Sequence, residues 1–164
     1  MQMSIAMNEN ELLKKIEEVF PFVEMPSGNE LVFHDSNCIC CNHLRKELEV
    51  SKKITGDVIR SIHQDLYHLS AKSWNWILPY YIRYCLTAEA KHNQMETAFL
   101  IYNFSPALEF QADTLKKLSM LNNTQIMCLI YFLEWCLTFP HWKEFYIEDI
   151  KDAINFLRTM PKRN

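Results

Sequence analysis

Apolar residues recur at helical spacing through most of this chain, and this periodicity restricts its fold more than any other feature. The clearest run follows Asn122 and ends before Pro140. It places five aliphatic side chains on one face of a helix: Ile126, Leu129, Ile130, Leu133 and Leu137. The same spacing predicts a first helix over residues 9–20 and a last helix over residues 142–159. With almost no strand pattern elsewhere, the sequence predicts an all-α fold, a compact bundle of about seven helices.

One segment, residues 21–37, breaks the helical pattern. It follows the first predicted helix and contains the turn formers Pro-Ser-Gly-Asn at residues 26–29. The short apolar-rich run at residues 31–34 predicts at most one isolated strand or hairpin. No other linker is long enough to divide the chain. We therefore expect residues 1–164 to form a single helical domain, with residues 21–37 as a loop-rich connection after the first helix.

Local signals predict where several helices begin. Pro79 is expected near the start of a helix, because its missing amide hydrogen is tolerated there but costs about 3 kcal/mol in a helix interior. Capping-box patterns at Asn93–Glu96 and Asn122–Gln125 predict two further helix starts.

Charge and composition exclude several classes of function. Seventeen Lys and Arg against twenty Asp and Glu give a net charge of −3, which does not favour nucleic-acid binding. The longest uncharged stretch is interrupted by polar residues, so no membrane span is predicted. The amino end lacks the pattern of a secretory signal, and a cytoplasmic location is expected. With only two glycines, Gly28 and Gly56, the chain has no phosphate-binding loop.

An acidic N-terminal part and an aromatic cluster are candidates for partner binding. Residues 1–37 contain seven acidic and two basic side chains, and Glu17, Glu18 and Glu24 are predicted to face a basic partner. The alternative is an ordinary solvated helix face. Trp76 and Tyr80 belong to a cluster of five aromatic residues within residues 74–84, which is more than one helix face can bury. A central helix covered on two sides explains the same cluster and is the favoured interpretation.

A short segment contains the ligand types that zinc prefers. Cys38 and Cys41 have the two-residue spacing that lets both thiolates reach one ion, and His34 is a third candidate ligand. His43 follows Cys41 too closely to complete the set easily. Because no second Cys or His pair appears, the favoured interpretation is a helix N-terminus with partly buried thiols, and no cofactor is assigned. The remaining buried-type cysteines, Cys85, Cys128 and Cys136, are predicted to be packing residues.

The pair Asp65 and His68 offers an acid and a base three residues apart on a predicted helix. No nucleophile accompanies them, and no hydrolase, metalloprotease or nucleotide-binding motif occurs. The sequence therefore predicts no catalytic residues.

Several segments together resemble a known group of proteins. They are Leu31–His34, the Cys38-x-x-Cys41 pair, and above all the stretch Trp76–Thr87, in which Leu-Pro-Tyr-Tyr is followed by Arg-Tyr. With these features the chain resembles an uncharacterised bacterial family of small helical proteins, over about residues 10–138. The resemblance implies the protective role of an immunity protein in a toxin–immunity pair.

The expected function is therefore a non-catalytic protein-binding domain that binds and neutralises a bacterial toxin. The expected partner is another protein, a toxin domain, and neither a nucleic acid nor a membrane. Two alternatives stay open: a metal-assisted or thiol-based enzyme centred on Cys38 and Cys41, and an adaptor subunit of a larger assembly.

Overall fold

The structure, a computed structural model, describes residues 5–35 and 37–163, and they form helices joined by short connections. The ten α-helices of these residues are α1 (Glu9–Val19), α2 (Ile39–Val50), α3 (Gly56–Ile62), α4 (Ala71–Cys85), α5 (Ala88–Asn93), α6 (Met95–Phe104), α7 (Gln111–Lys117), α8 (Asn123–Cys136), α9 (Pro140–Phe145) and α10 (Ile147–Thr159). Three 3₁₀ helices lie between them, at Gly28–Leu31, His63–His68 and Leu108–Phe110. The all-α prediction is confirmed, and eight of the α-helices have seven residues or more, where about seven helices were expected.

Extended pairing within the described residues is limited to one isolated antiparallel bridge between Val32 and Leu69. It lies in the predicted connection of residues 21–37, of which Ser36 is outside the described residues. The prediction of at most one isolated strand near residues 31–34 is therefore confirmed in its weakest form, a single bridge.

Helix α4 forms the centre of the molecule. Ten of its fifteen residues are buried, including Trp74, Trp76 and Tyr81, while Tyr80 is half-buried. Neighbours from several parts of the chain pack on it, among them α1, α3 and α7. The aromatic cluster is thus part of the core, as the favoured interpretation predicted.

The prediction for Pro79 was wrong, because Pro79 lies inside α4 and not near its start. A proline in a helix interior costs about 3 kcal/mol. Burial of one large aliphatic side chain contributes about 1.5–3 kcal/mol, and Ile77, Leu78 and Ile82 are all fully buried around it. Packing therefore outweighs the local preference.

The two predicted capping boxes have different outcomes. At α8 the box is present: the Asn122 side chain accepts from the Gln125 amide, and the Gln125 side chain accepts from the Asn122 amide. At α6 the predicted capping box is wrong. The N-cap is Gln94 and not Asn93, and Gln94 has φ of 65° and makes no capping hydrogen bond with its side chain. Glu96 is buried and bonds to Tyr84 instead.

The predicted last helix, residues 142–159, is divided in two. Helix α9 ends at Phe145 and α10 begins at Ile147, because Tyr146 leaves the helical conformation at φ −129° and ψ 11°. No helix in residues 5–35 and 37–163 has the length and apolar character that crossing a membrane requires.

Candidate metal centre

The isolated bridge brings two distant segments side by side. The Phe33 amide donates to the His68 carbonyl over 2.8 Å, and the Ser70 amide donates to the Leu31 carbonyl over 3.2 Å. The hydroxyl of Ser73, in the first turn of α4, also donates to the Leu31 carbonyl, over 2.8 Å. These bonds fix the backbone that precedes His34 and the backbone around His68.

The N-terminus of α2 supplies the two cysteines. Cys38 is the N-cap residue, and its sulfur accepts a hydrogen bond from the Cys41 amide over 3.4 Å. The Cys38 amide in turn donates to the Asp35 carbonyl over 3.2 Å. An N-cap and the third residue of a helix lie on the same side of its first turn, so both thiols point to the same place.

Four potential ligand atoms meet at this point, one each from His34, Cys38, Cys41 and His68. All four lie within 4.8 Å of one another. The Cys41 sulfur is 3.5 Å from Nδ1 of His34 and 3.7 Å from Nδ1 of His68. Tetrahedral zinc, with bonds of about 2.0–2.3 Å, places its ligand atoms about 3.3–3.8 Å apart. The four atoms thus need to contract by at most about 1.5 Å to enclose an ion.

Burial and hydrogen bonding give the two thiols different acidities. The hydrogen bond from the Cys41 amide lowers the pKa of Cys38 below its ordinary value, which favours the thiolate. Burial raises the pKa of Cys41 to about 11, so this thiol is protonated at neutral pH unless a cation is bound. Burial also lowers the pKa of His68, which keeps its imidazole neutral and able to coordinate a metal.

Sequence reasoning found three of these four residues, His34, Cys38 and Cys41, and missed His68 as a ligand. His68 ends the 3₁₀ helix that follows α3, and nothing in its local spacing relates it to the cysteines. The remaining candidate, His43, has a side chain that is 75% exposed and lies 3.9 Å from the Glu47 carboxylate. What identifies His68 as a ligand is the pairing of its segment with residues 31–33, which is visible only in the folded structure.

The residues predicted to bind a partner differ in how far they are exposed. Glu17, Glu18 and Glu24 are exposed, as the hypothesis of an acidic surface requires. Trp76 is buried, with 4% of its surface exposed, and does not present its ring to a partner. Tyr80 is half-buried, and its ring packs 4.7 Å from that of the exposed Phe22.

Comparisons with known proteins place this arrangement in a family but assign it no activity. No curated protein and no solved structure matches the chain. Residues 8–140 match the model of the Family of unknown function (DUF6714), a span that contains the whole cluster of histidines and cysteines. Since that span is well over half of the 164 residues, the chain belongs to this family of unknown function.

Proposed function

We propose that the protein binds one zinc ion through His34, Cys38, Cys41 and His68. The observation that carries the proposal is the meeting of two thiols and two imidazoles within 4.8 Å, on segments that are far apart in the chain. A set of two sulfur and two nitrogen ligands binds zinc in preference to magnesium or calcium, because these two metals take oxygen ligands.

The role that this geometry supports is structural. Four protein ligands complete a tetrahedral shell, whereas a catalytic zinc keeps one position for water or substrate. The ion would join the N-terminus of α2 and the preceding connection to the 3₁₀ helix at His63–His68. This arrangement favours a metal-stabilised fold over the metal-assisted enzyme considered from the sequence.

Metal analysis of the protein, purified without added metal or affinity tag, tests the proposal. We expect one equivalent of zinc in the wild type and much less than one in Cys41→Ser and His68→Ala. The chain provides matched controls, since Cys40 is exposed beside the ligands and His43 is exposed on α2. Cys40→Ser and His43→Ala should retain one equivalent. Metal-free wild type, or equal loss in the control variants, would contradict the proposal.

We also propose that the protein acts as a bacterial immunity protein by binding a basic toxin domain. The observation that favours this function is the exposure of three carboxylates, Glu17, Glu18 and Glu24, in the same stretch of sequence as the exposed apolar side chains of Phe22 and Val23. Apolar anchors surrounded by charge are typical of protein interfaces, and the charge accelerates encounter with an oppositely charged partner.

The gene next to that of this protein supplies the test. Its product, expressed together with the chain, should co-purify with it and be toxic when expressed alone. Reversal of Glu17, Glu18 and Glu24 to lysine should slow association more than it accelerates dissociation, measured by surface plasmon resonance at several salt concentrations. Association that is unaffected by salt and by the three reversals would contradict the role of this surface.

A further inference from the structure

A small cavity lies where the end of α8 and helix α9 meet the junction of α5 with α6. Its volume is about 150 Å³, and none of the four metal-centre residues lines it. Its lining runs from the buried side chains of Cys85 and Thr97 to the exposed Pro140. The cavity is therefore a separate site, and it is accessible from solvent on the side of Pro140.

Aromatic rings form much of the cavity wall. The rings of Trp135 and Phe139 pack edge to face with their centres 4.8 Å apart, and those of His141 and Trp142 do so at 4.7 Å. Further aromatic rings pack favourably on such pairs. An apolar cavity of about 150 Å³ holds one benzene ring. The volume and the wall of the cavity thus fit a single six-membered aromatic ring.

The lining includes one lysine, Lys91, whose charge is already paired. Its Nζ atom lies 2.5 Å from the Glu9 carboxylate and 5.9 Å from the centre of the Trp135 ring. An anionic ligand would be repelled by Glu9, and a cationic ligand would be repelled by Lys91. An uncharged ligand avoids both repulsions.

The backbone is strained at another lining residue, Gln94, which has φ of 65°. Within the described part of the chain, no other residue except a glycine has a positive φ. A residue that ends a helix in this conformation is usually glycine or asparagine, because a Cβ atom is crowded there. The Gln94 side chain does not cap α6, and it has no hydrogen-bond partner among the residues described. Its amide is therefore left to offer a donor and an acceptor to a ligand.

We infer that this cavity binds a small uncharged aromatic compound, a single six-membered ring with a hydroxyl group, and that the Gln94 side chain hydrogen-bonds to that hydroxyl. The rings of Trp135 and Trp142 contact the ligand ring, and the amide of Gln94 fixes its orientation. The inference depends neither on the zinc site nor on the acidic surface.

Phenol is the probe that tests the site, and the four tryptophans of the chain report where it binds. In ¹H–¹⁵N NMR spectra of the wild type, phenol should shift the indole signals of Trp135 and Trp142 in a saturable manner. Those of Trp74 and Trp76, which are buried in α4, should not move. Cyclohexanol has a hydroxyl group but no aromatic ring, and benzoate carries a charge. Each should bind at least about 3-fold more weakly than phenol.

The variant Gln94→Gly separates a role in binding from a role in the fold. Glycine adopts a positive φ without strain, so the midpoint of thermal unfolding should rise by about 2–4 °C. Because the amide is lost, the affinity for phenol should fall about 3–10-fold. The control is Met95→Ala, at an exposed neighbouring residue that does not line the cavity, which should leave the affinity unchanged.

Three results would overturn the inference. If phenol shifts none of the four indole signals, or all four alike, the cavity is not the binding site. If cyclohexanol or benzoate binds as tightly as phenol, the class of ligand is wrong. If Gln94→Gly binds phenol as tightly as the wild type, or unfolds at a lower temperature, Gln94 does not have the role inferred for it.

Discussion

The sulfur of Cys41 lies 3.7 Å from Nδ1 of His68, although the two residues are 27 positions apart in the chain. Between them run the rest of α2, the whole of α3 and the 3₁₀ helix at His63–His68. A metal bound by both side chains closes this loop. The four ligand atoms come together only in the folded protein, so an ion bound there would stabilise the folded state by its binding free energy.

Removal of zinc should therefore loosen this part of the molecule before the rest. We expect a chelator to accelerate amide hydrogen exchange in residues 28–35, 37–38 and 63–69, measured by mass spectrometry, more strongly than in α8. With free zinc at about 100 times its dissociation constant, the ion stabilises the fold by about 2.7 kcal/mol. Equal acceleration of exchange throughout the chain would contradict a local role for the metal.

The hydroxyl of Tyr84 connects two charged side chains inside the protein. It accepts from Nη1 of Arg60 over 3.1 Å and donates to Oε1 of Glu96 over 3.3 Å. Glu96 is only 2% exposed, and its other carboxylate oxygen has no hydrogen-bond partner among the described residues. Tyr84→Phe should lower the free energy of unfolding by about 1–3 kcal/mol, because it removes the tyrosine donor to a buried carboxylate.

Urea unfolding at pH 7 measures this effect. The control is Tyr80→Phe on the same helix, where the ring is half-buried and the expected change is below about 0.5 kcal/mol. Equal changes in the two variants would show that the hydroxyl of Tyr84 makes no special contribution.

Gly56 is required by the position of the same tyrosine. A Cβ atom at residue 56 would lie 2.9 Å from Cε2 and 3.3 Å from Cδ2 of the Tyr84 ring. The ring cannot easily move away, because Arg60 and Glu96 hold its hydroxyl. Gly56→Ala should therefore destabilise the protein by about 1–3 kcal/mol, although alanine is the better helix former. In a Tyr84→Ala background this added cost should disappear, and a double-mutant cycle in urea measures it.

The sequence was sufficient for features that depend on neighbouring residues. The capping box of α8 at Asn122 follows from local spacing and is present. Four residues of the predicted stripe, Ile126, Leu129, Ile130 and Leu133, are buried in α8, whereas Leu137 is its half-buried C-cap residue. Pro79 and the cap of α6 were predicted wrongly because tertiary contacts decide them. The interior of α4 packs tightly enough to tolerate a proline, and Tyr84 binds the carboxylate of Glu96 that was expected to cap α6.

The candidate site shows the same division. Cys38, Cys41 and His34 lie within eight residues, so their spacing alone suggests a metal. His68 comes from another element, and it reaches the site through the bridge at Val32 and the packing of its 3₁₀ helix against α2. It belongs to no local pattern that a sequence could display.

The buried thiol of Cys85 should make stability depend on pH in alkaline solution. Cys85 is 1% exposed, and burial raises its pKa from the ordinary value of 9.0 to about 12. Between these values the unfolded chain loses the thiol proton while the folded chain keeps it. The stabilisation from this thiol is thus fully present below pH 9 and is lost as the pH rises towards 12.

With a chelator present throughout, the free energy of unfolding of the wild type should fall relative to Cys85→Ala by about 1.4 kcal/mol per pH unit above 9. Urea unfolding at pH 8, 9, 10 and 10.5 measures this difference, and the exposed Cys40→Ser variant should follow the wild type. A difference between wild type and Cys85→Ala that stays constant over this range would show that the folded protein releases the Cys85 proton as readily as the unfolded chain does.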